Sequence, residues 1–193
     1  MDRIFTKERF ESAARSLSGY RMTFSHVLNE SRNCANADSW QKTIFLSHSH
    51  YDAKYVNVAR KFFENLGISI YVDWADESMP SRTCGETAQR IKSKIMENNF
   101  FILLATDLAI MSKWCNWEVG IGDTYKMYKD KIALLPLADS SRDWNGNEYL
   151  QLYPYIKEPE YAFMNDNADN YKIHYPNGHE ISLKNGFLNK FQT

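Results

Sequence analysis

From residue 43 to residue 137, short apolar runs alternate with longer stretches of helical periodicity, and this alternation constrains the fold more than any other feature. The apolar runs cover residues 43–47, 68–74, 100–105 and 131–137. An unbroken apolar run is typical of a strand that is buried on both faces. Strands that alternate with helices form a parallel sheet with helices on both faces and right-handed connections. The sequence therefore predicts an α/β fold with a central parallel sheet.

Helix starts are predicted from capping residues. Ser49 and Asp52 fit a capping box that begins the helix after the first strand. Thr83 and Glu86 have the same spacing before the second helix. The third helix is expected to begin at Ser112 and to run to about residue 129.

Three segments lie at the predicted carboxyl-end rim of the sheet, where ligands of such folds bind. They are residues 47–52, residues 74–85 and the turn that leads from the third strand to Trp114. His48 is therefore a candidate substrate contact. Arg82 is a candidate partner for a pyrophosphate group, with an exposed loop arginine as the alternative.

The segment of residues 112–120 has the sequence SKWCNWEVG and places two tryptophans and one carboxylate in little more than one helical turn. Trp114 and Glu118 are four residues apart and share a helix face. A carboxylate beside an aromatic wall can keep its charge in a partly dry place, where that charge acts more strongly. From these nine residues alone, however, a core-packing helix with a surface glutamate is the favoured interpretation.

Composition argues against several classes of partner. Lysine and arginine total 23 and aspartate and glutamate total 24, whereas nucleic acid or an anionic membrane as the main partner would favour a basic excess. The N-terminal residues are charged from the second position, unlike a secretory signal, and the longest apolar run is too short to cross a bilayer. We expect a soluble cytoplasmic protein that binds neither nucleic acid nor membrane.

Cysteine and histidine do not form a pattern typical of a metal site. Cys34, Cys84 and Cys115 are odd in number and widely spaced, which suits neither a disulfide framework nor a zinc cluster. His48 and His50 are close in sequence, but zinc needs at least a third protein ligand. We expect no metal and no bound cofactor.

Both ends of the chain extend beyond the alternating region. Within residues 1–30 an apolar stripe of helical spacing predicts a helix, which packs either on its own domain or on a partner subunit. The stripe consists of Phe10, Ala13, Leu17, Tyr20, Phe24 and Val27. Residues 176–178, Pro-Asn-Gly, are a turn signal between two short strand-like runs. The predicted division is residues 1–40 as helix and linker, 41–157 as the main domain and 158–193 as a C-terminal extension.

Three motifs in this order resemble the Toll/interleukin-1 receptor (TIR) domain family. The first is Ile44-Phe-Leu-Ser-His-Ser49 followed by Asp52. The second is Tyr71-Val-Asp-Trp74, followed by a loop with Pro80 and Gly85. The third is Ser-Lys-Trp-Cys-Asn-Trp-Glu at residues 112–118. The resemblance covers about residues 41–140.

This resemblance implies a flavodoxin-like fold and, for bacterial standalone members, cleavage of NAD+ at the nicotinamide–ribose bond. The products in the family are ADP-ribose or cyclic and otherwise modified ADP-ribose signals, often made for an effector protein in antiviral defence. The glutamate that matches the catalytic position is Glu118. The proposed substrate contacts are Ser47, His48, Asp52, Trp74, Arg82 and Trp114. Homo-oligomerisation through TIR–TIR contacts is also implied.

One carboxylate is enough for this chemistry. Cleavage of an N-glycosidic bond builds positive charge on the ribose, as in glycoside hydrolysis. Glycosidases generally use two carboxyl groups because the leaving oxygen needs a proton, but the nicotinamide of NAD+ is already cationic and leaves as a neutral molecule. Whether water or an internal hydroxyl then attacks stays open from the sequence.

Three other functions compete with this interpretation. Many animal TIR domains are scaffolds without catalysis, and Glu118 favours an enzyme over a scaffold. A phosphoacceptor response regulator would need an acidic cluster after the first strand, where this chain has Ser47-His-Ser-His50, although Asp107 lies at the expected later position. A nucleoside deoxyribosyltransferase also has a key glutamate, but the tryptophan-cysteine motif favours the TIR family.

Overall fold

The fold is described by a computed structural model, which covers residues 4–18, 43–66, 68–76, 84–139, 146–159, 170–183 and 185–186. Eight strands lie in this part of the chain. They are β1 (Phe5–Thr6), β2 (Thr43–Ser47), β3 (Ser69–Tyr71), β4 (Phe100–Ala105), β5 (Ile132–Ala138), β6 (Tyr155–Lys157), β7 (Lys172–His174) and β8 (Glu180–Ser182). The four strands predicted from the apolar runs are confirmed, with β3 shorter than predicted.

Five α-helices lie in the same described ranges. They are α1 (Lys7–Ser18), α2 (Ala53–Glu64), α3 (Gly85–Glu97), α4 (Asp107–Met111) and α5 (Lys113–Lys126). Short 3-10 turns, His50–Asp52, Asp73–Ala75, Met127–Lys129 and Glu148–Leu152, link several elements. Strand and helix therefore alternate as the sequence predicts.

The strand order is β3-β2-β4-β5-β6-β7-β8, and β1 pairs with β5. The pairs from β3 to β6 are parallel, and the pairs β6–β7 and β7–β8 are antiparallel. The first five strands of this order have the doubly wound arrangement of flavodoxin-like sheets, and the direction of winding changes between β2 and β4. The prediction of a flavodoxin-like α/β fold is confirmed.

Two apolar layers cover the two faces of the sheet. One contains α1 and α2, with Phe10 and Phe62 in ring contact at a centroid distance of 5.3 Å. The other contains α3, α4 and α5, with Ile95 and Val119 buried against β4. Burial of each such side chain stabilises the fold by about 1.5–3 kcal/mol, so the helices of both layers are held on the sheet.

The capping predictions are partly wrong. Ser49 does accept a hydrogen bond from the amide of Tyr51, at 3.4 Å. The Asp52 carboxylate, in contrast, accepts a hydrogen bond from Thr106, because this buried group finds a side-chain donor at the end of β4. The cap of α3 is Cys84, whose backbone amide donates to the hydroxyl of Thr87.

Described residues of both terminal segments join the central sheet and core. The described part of residues 1–30 begins with strand β1, where the apolar stripe predicts helix, and continues as α1. Residues 19–42 lie outside the described residues. The predicted hairpin is confirmed as β7–β8, with Gly178 at φ 82° in its turn. Strand β6 is the fifth parallel strand, which the sequence did not make clear. The predicted three-part domain division stays a prediction.

Candidate active site

Glu118 lies on α5, which begins at the carboxyl-end rim of the sheet. The Ser112 hydroxyl caps this helix by accepting from the amide of Cys115 at 3.3 Å. One turn further on, the Glu118 side chain faces the end of β2, and its Oε2 accepts a hydrogen bond of 2.6 Å from the Ser47 hydroxyl. Glu118 is only 6% exposed. The interpretation of this residue as a surface glutamate is therefore wrong.

The surroundings of Glu118 favour its neutral form. Burial is the main reason that its pKa is raised to about 8, and the nearby Asp73 carboxylate raises it further. The hydrogen bond from Ser47 acts in the opposite direction because it stabilises the ionised form. A carboxyl group with a strongly raised pKa at a ligand-binding rim is a candidate for catalysis.

A thiol lies on the same helix next to this carboxyl group. Cys115 precedes Glu118 by three residues, is buried and interacts with Ser47. Burial, with a further contribution from Glu118, raises the pKa of the Cys115 thiol to about 11. This thiol is protonated at neutral pH and is therefore a packing group, since the thiolate is the reactive form of cysteine.

His48 is held between the backbone of β2 and Asp73. Its Nδ1 lies 2.8 Å from the Leu46 carbonyl oxygen. A carbonyl can only accept, so Nδ1 carries a proton. Its Nε2 lies 3.7 Å from Oδ1 of Asp73. Asp73, in the turn after β3, therefore borders both His48 and Glu118.

A second buried carboxylate lies on the α1–α2 side of the rim. The Thr106 hydroxyl, directly after β4, donates to Oδ2 of Asp52 at 2.5 Å. Burial raises the pKa of Asp52 above its ordinary value, although Thr106, Lys7 and His48 all act to lower it. Asp52 was predicted first as a helix cap, and the structure gives it a buried position at the rim.

The aromatic candidates have different outcomes. Trp114 is 39% exposed and its ring meets that of Trp117 edge to face, with centroids 5.3 Å apart. It is therefore not a core anchor, and its role as a pocket wall stays a prediction. Trp74 lies in the 3-10 turn after β3, and Arg82 lies outside the described residues.

The structure thus brings Ser47, His48 and Glu118 together and adds two residues that were not predicted as site residues, Asp73 and Thr106. Thr106 directly follows β4, and Asp73 is the second residue after β3, so both lie at the edge of the sheet where ligands bind. Their positions after strand ends are the sequence signal that marks them. That signal is weak, because Asp73 also belongs to a motif and Thr106 lies between an apolar run and a helix with no distinctive pattern.

The described residues contain no group of three or more histidine, cysteine, aspartate or glutamate side chains placed to hold a metal ion. His50 is exposed and its ring lies against that of Tyr51, with centroids 3.9 Å apart. None of the helices in the described ranges combines the length and apolar character needed to span a bilayer.

A doubly wound sheet with a buried carboxyl group at its rim, one turn into a tryptophan-rich helix, defines the class of protein. The model of the TIR domain family matches residues 44–171. The chain therefore belongs to the TIR domain family, as the three motifs indicated.

Two curated relatives carry names that describe a product. The chain is 32% identical over 146 residues to the "Probable 3' cyclic ADP-D-ribose synthase ThsB'" of Bacillus cereus (strain MSX-D12), a match that covers 74% of this chain and 73% of that protein. It is 30% identical over 93 residues to the "Putative cyclic ADP-D-ribose synthase TIR2" of Cytobacillus dafuensis. The second match covers 47% of this chain and 24% of the relative.

Proposed function

We propose that this protein consumes NAD+ by cleaving its nicotinamide–ribose bond, with Glu118 as the catalytic residue. The observation that carries the proposal is the burial of this carboxyl group at the rim of the sheet, in hydrogen-bond contact with Ser47. The names of the two relatives support the same substrate, because cyclic ADP-ribose is made from NAD+.

Glu118 acts on the ribose in this proposal. As the bond to nicotinamide breaks, its electron pair moves to the pyridine ring, which leaves neutral, and positive charge builds on the ribose. The ionised Glu118 carboxylate stabilises that charge or holds the ribose hydroxyl groups. A carboxylate in a dry site acts more strongly than one in water.

Substrate binding supplies the ionised carboxylate. The pKa of Glu118 is about 8 in the free protein, so most molecules hold it neutral at pH 7. An adjacent positive charge favours the ionised form of a carboxyl group. The pyridinium ring of bound NAD+ therefore lowers the pKa of Glu118, and its proton leaves as the cationic substrate enters.

The proposed product is ADP-ribose or a cyclic or modified form of it, and the relatives' names favour the cyclic form. A site that excludes water favours attack by a hydroxyl group of the substrate itself, and the burial of Glu118 is consistent with such a site. We further propose that NAD+ is used as substrate without another cofactor, in the cytoplasm of a bacterial cell. There, homo-oligomers of the protein would signal to an effector in antiviral defence.

Incubation of the purified protein with NAD+, followed by chromatographic separation of the products, tests the proposal. The assay should use high protein concentration and a trigger such as lysate from phage-infected cells. We expect Glu118→Gln to lower turnover by about 10²–10³-fold or more, as for loss of a principal charge-stabilising group. The matched control is Glu97→Gln, which changes an exposed carboxylate at the end of α3.

Two results would count against the proposal. Wild-type turnover in Glu118→Gln would reject the site assignment. Unchanged NAD+ in an assembled and triggered sample would reject the enzyme and favour the non-catalytic TIR scaffold.

A further inference from the structure

Strand β1 carries the chain to the carboxyl-end rim of the sheet. It runs parallel to β5, and Phe5 and Thr6 pair with Leu137 and Ala138, the last two residues of that strand. The next residue, Lys7, therefore lies beyond the strand ends. This segment precedes residues 44–171, which match the TIR family model, so the family match assigns no role to it.

The Lys7 ammonium group is held in place by its neighbours. Its Nζ forms an ion pair with Oδ1 of Asp139, the first residue after β5, and lies 5.2 Å from the centre of the Tyr55 ring. Its charge also acts on Asp52. The Lys7 side chain is 18% exposed, so the cation is partly shielded and partly open to solvent.

The contacts of Lys7 lead along the rim toward Glu118. Asp52 accepts from Thr106 at the end of β4 and is within electrostatic range of His48 at the end of β2. Strands β2 and β5 are separated by β4, so their ends lie about 10 Å apart at the usual strand spacing. A dinucleotide lying along the rim with its ribose at Glu118 would extend its diphosphate toward Lys7.

We propose that Lys7 binds the diphosphate of the dinucleotide substrate, and that strand β1 is therefore part of the substrate-binding site. An ammonium group has three donors. One is directed to Asp139, and the others remain for phosphate oxygens. Because the ion pair and the Tyr55 ring already fix the side chain, binding costs little further ordering. The identity of the dinucleotide as NAD+ rests on the proposed function above.

Affinity for ADP-ribose, measured by titration calorimetry, tests this role without turnover, because ADP-ribose has the diphosphate but no nicotinamide to lose. We expect Lys7→Met to weaken binding of ADP-ribose by about tenfold, as for loss of one charge-assisted hydrogen bond. Binding of nicotinamide riboside, which has no diphosphate, should remain unchanged. The control is Lys54→Met, since Lys54 lies 5.3 Å from the same Tyr55 ring but pairs with Glu11 of α1.

A second variant separates substrate binding from support of the fold. Asp139→Asn removes the same ion pair but leaves the cation, so we expect its affinity for ADP-ribose to equal or exceed that of the wild type. Equal loss of affinity in Lys7→Met and Asp139→Asn would overturn the proposal and make the pair a structural one. Wild-type affinity in Lys7→Met would also overturn it. If ADP-ribose binding depends on Lys7 while NAD+ is never consumed, the proposed function fails and this inference stands.

Discussion

The Glu118 carboxyl group is placed where its protonation state can respond to a nearby positive charge. Burial and Asp73 favour the neutral form, and Ser47 favours the ionised form. The opposing effects leave the pKa at about 8, close enough to neutral pH for one nearby cation to change the dominant form. The same carboxyl group at the surface would be ionised at all times and would carry no such response.

The pH dependence of catalysis follows from this pKa. We expect kcat/KM of the wild type to rise with pH up to about 8, because kcat/KM reports ionisation in the free enzyme. The rise in kcat should occur at lower pH, because the bound cation lowers the pKa of Glu118. Steady-state kinetics between pH 5.5 and 9.5 would measure both, and a kcat/KM that falls over this range would contradict the assignment.

The protonation of Glu118 should also affect stability, which is expected to fall as pH rises, whereas kcat/KM is expected to increase. The folded pKa of Glu118 is raised above its ordinary value of 4.5, so between about pH 4.5 and 8 the folded state binds more protons. As pH rises through this range, the free energy of unfolding of the wild type should therefore fall relative to that of Glu118→Gln, by up to about 1.4 kcal/mol per pH unit. Chemical denaturation of both proteins at several pH values would measure this.

The same pKa can be changed by substitution of Ser47. Ser47→Ala removes the hydrogen bond that lowers the pKa of Glu118, so we expect its kcat/KM profile to shift to higher pH.

At this scale the sequence predicted which residues matter better than it predicted how they interact. Ser47, His48 and Glu118 could be placed near one rim because strand ends and motif spacing determine their positions. The contact of Glu118 with Ser47 could not be predicted, because the helical period alone does not determine which side of α5 meets the sheet. Trp114 and Glu118 are four residues apart and share a helix face, yet Trp114 is 39% exposed while Glu118 is buried.

The depth at which α5 lies on the sheet depends on one glycine. Gly122 lies one turn after Glu118, and a Cβ atom built on it would be 3.0 Å from Cγ of Phe101 on β4. Such a contact is tighter than nine in ten contacts of real Cβ atoms, so the Phe101 ring would have to move by a few tenths of an ångström. The absence of a side chain at Gly122 thus allows α5 to approach β4 and brings Glu118 within reach of Ser47.

Two glycines on α5 provide a matched pair of substitutions. We expect Gly122→Ala to lower the free energy of unfolding by about 1–3 kcal/mol through overpacking. It should also reduce NAD+ turnover by about ten- to a hundredfold through displacement of Glu118. Gly120→Ala should stabilise the protein by about 0.5–1 kcal/mol, because a Cβ atom at Gly120 meets nothing within 4 Å. Chemical denaturation and turnover assays on both variants would check this, and equal effects would contradict it.

Long, strongly patterned elements were predictable, and short ones were not. Strands β2, β4 and β5 are continuous apolar runs, so their position and burial follow from composition. Strand β1 has two residues and directly precedes a helix. Two residues are too few to show the alternation of apolar and polar side chains by which a strand is recognised in a sequence. Strand β6 has three residues, and its partner β5 is more than fifteen residues away in sequence.

The whole molecule has a core to which both ends contribute. Phe5 and Phe10 from the N-terminal segment and Tyr171 from the C-terminal segment are fully buried. Phe5 and Tyr171 stack with centroids 6.3 Å apart, and Tyr171 meets Phe62 of α2 edge to face at 4.9 Å. The surface of α2 is therefore covered by residues from outside the predicted main domain.

A fragment of residues 41–157 should consequently fail to fold cooperatively. It lacks Phe5, Phe10 and Tyr171, and truncation of one buried aromatic side chain alone costs about 3–5 kcal/mol, a large share of the stability of an ordinary domain. Near-ultraviolet circular dichroism and thermal unfolding of the fragment and the full chain would test this. A sharp unfolding transition in the fragment would instead support the three-part division of the chain.

The class of fold could be predicted from the sequence, but the surface on which the N-terminal helix packs could not. The apolar stripe of α1 was compatible with packing on its own domain or on a partner subunit. Phe10 and Ala13 of that stripe are buried in the core and Leu17 packs against it. The other stripe residues, Tyr20, Phe24 and Val27, lie outside the described residues. The choice required knowledge of which face of α2 was uncovered, and no local pattern contains that information.

The burial of Glu118 also bears on how a cell could tolerate this protein. NAD+ is a metabolite on which the host's own respiration depends, so an enzyme that destroys it must be quiet until it is needed. With a pKa of about 8, the carboxyl group is mostly protonated at pH 7. In the proposed mechanism the entering pyridinium ring displaces this proton, so the proton alone does not silence the resting protein, and its restraint depends on assembly or on a trigger.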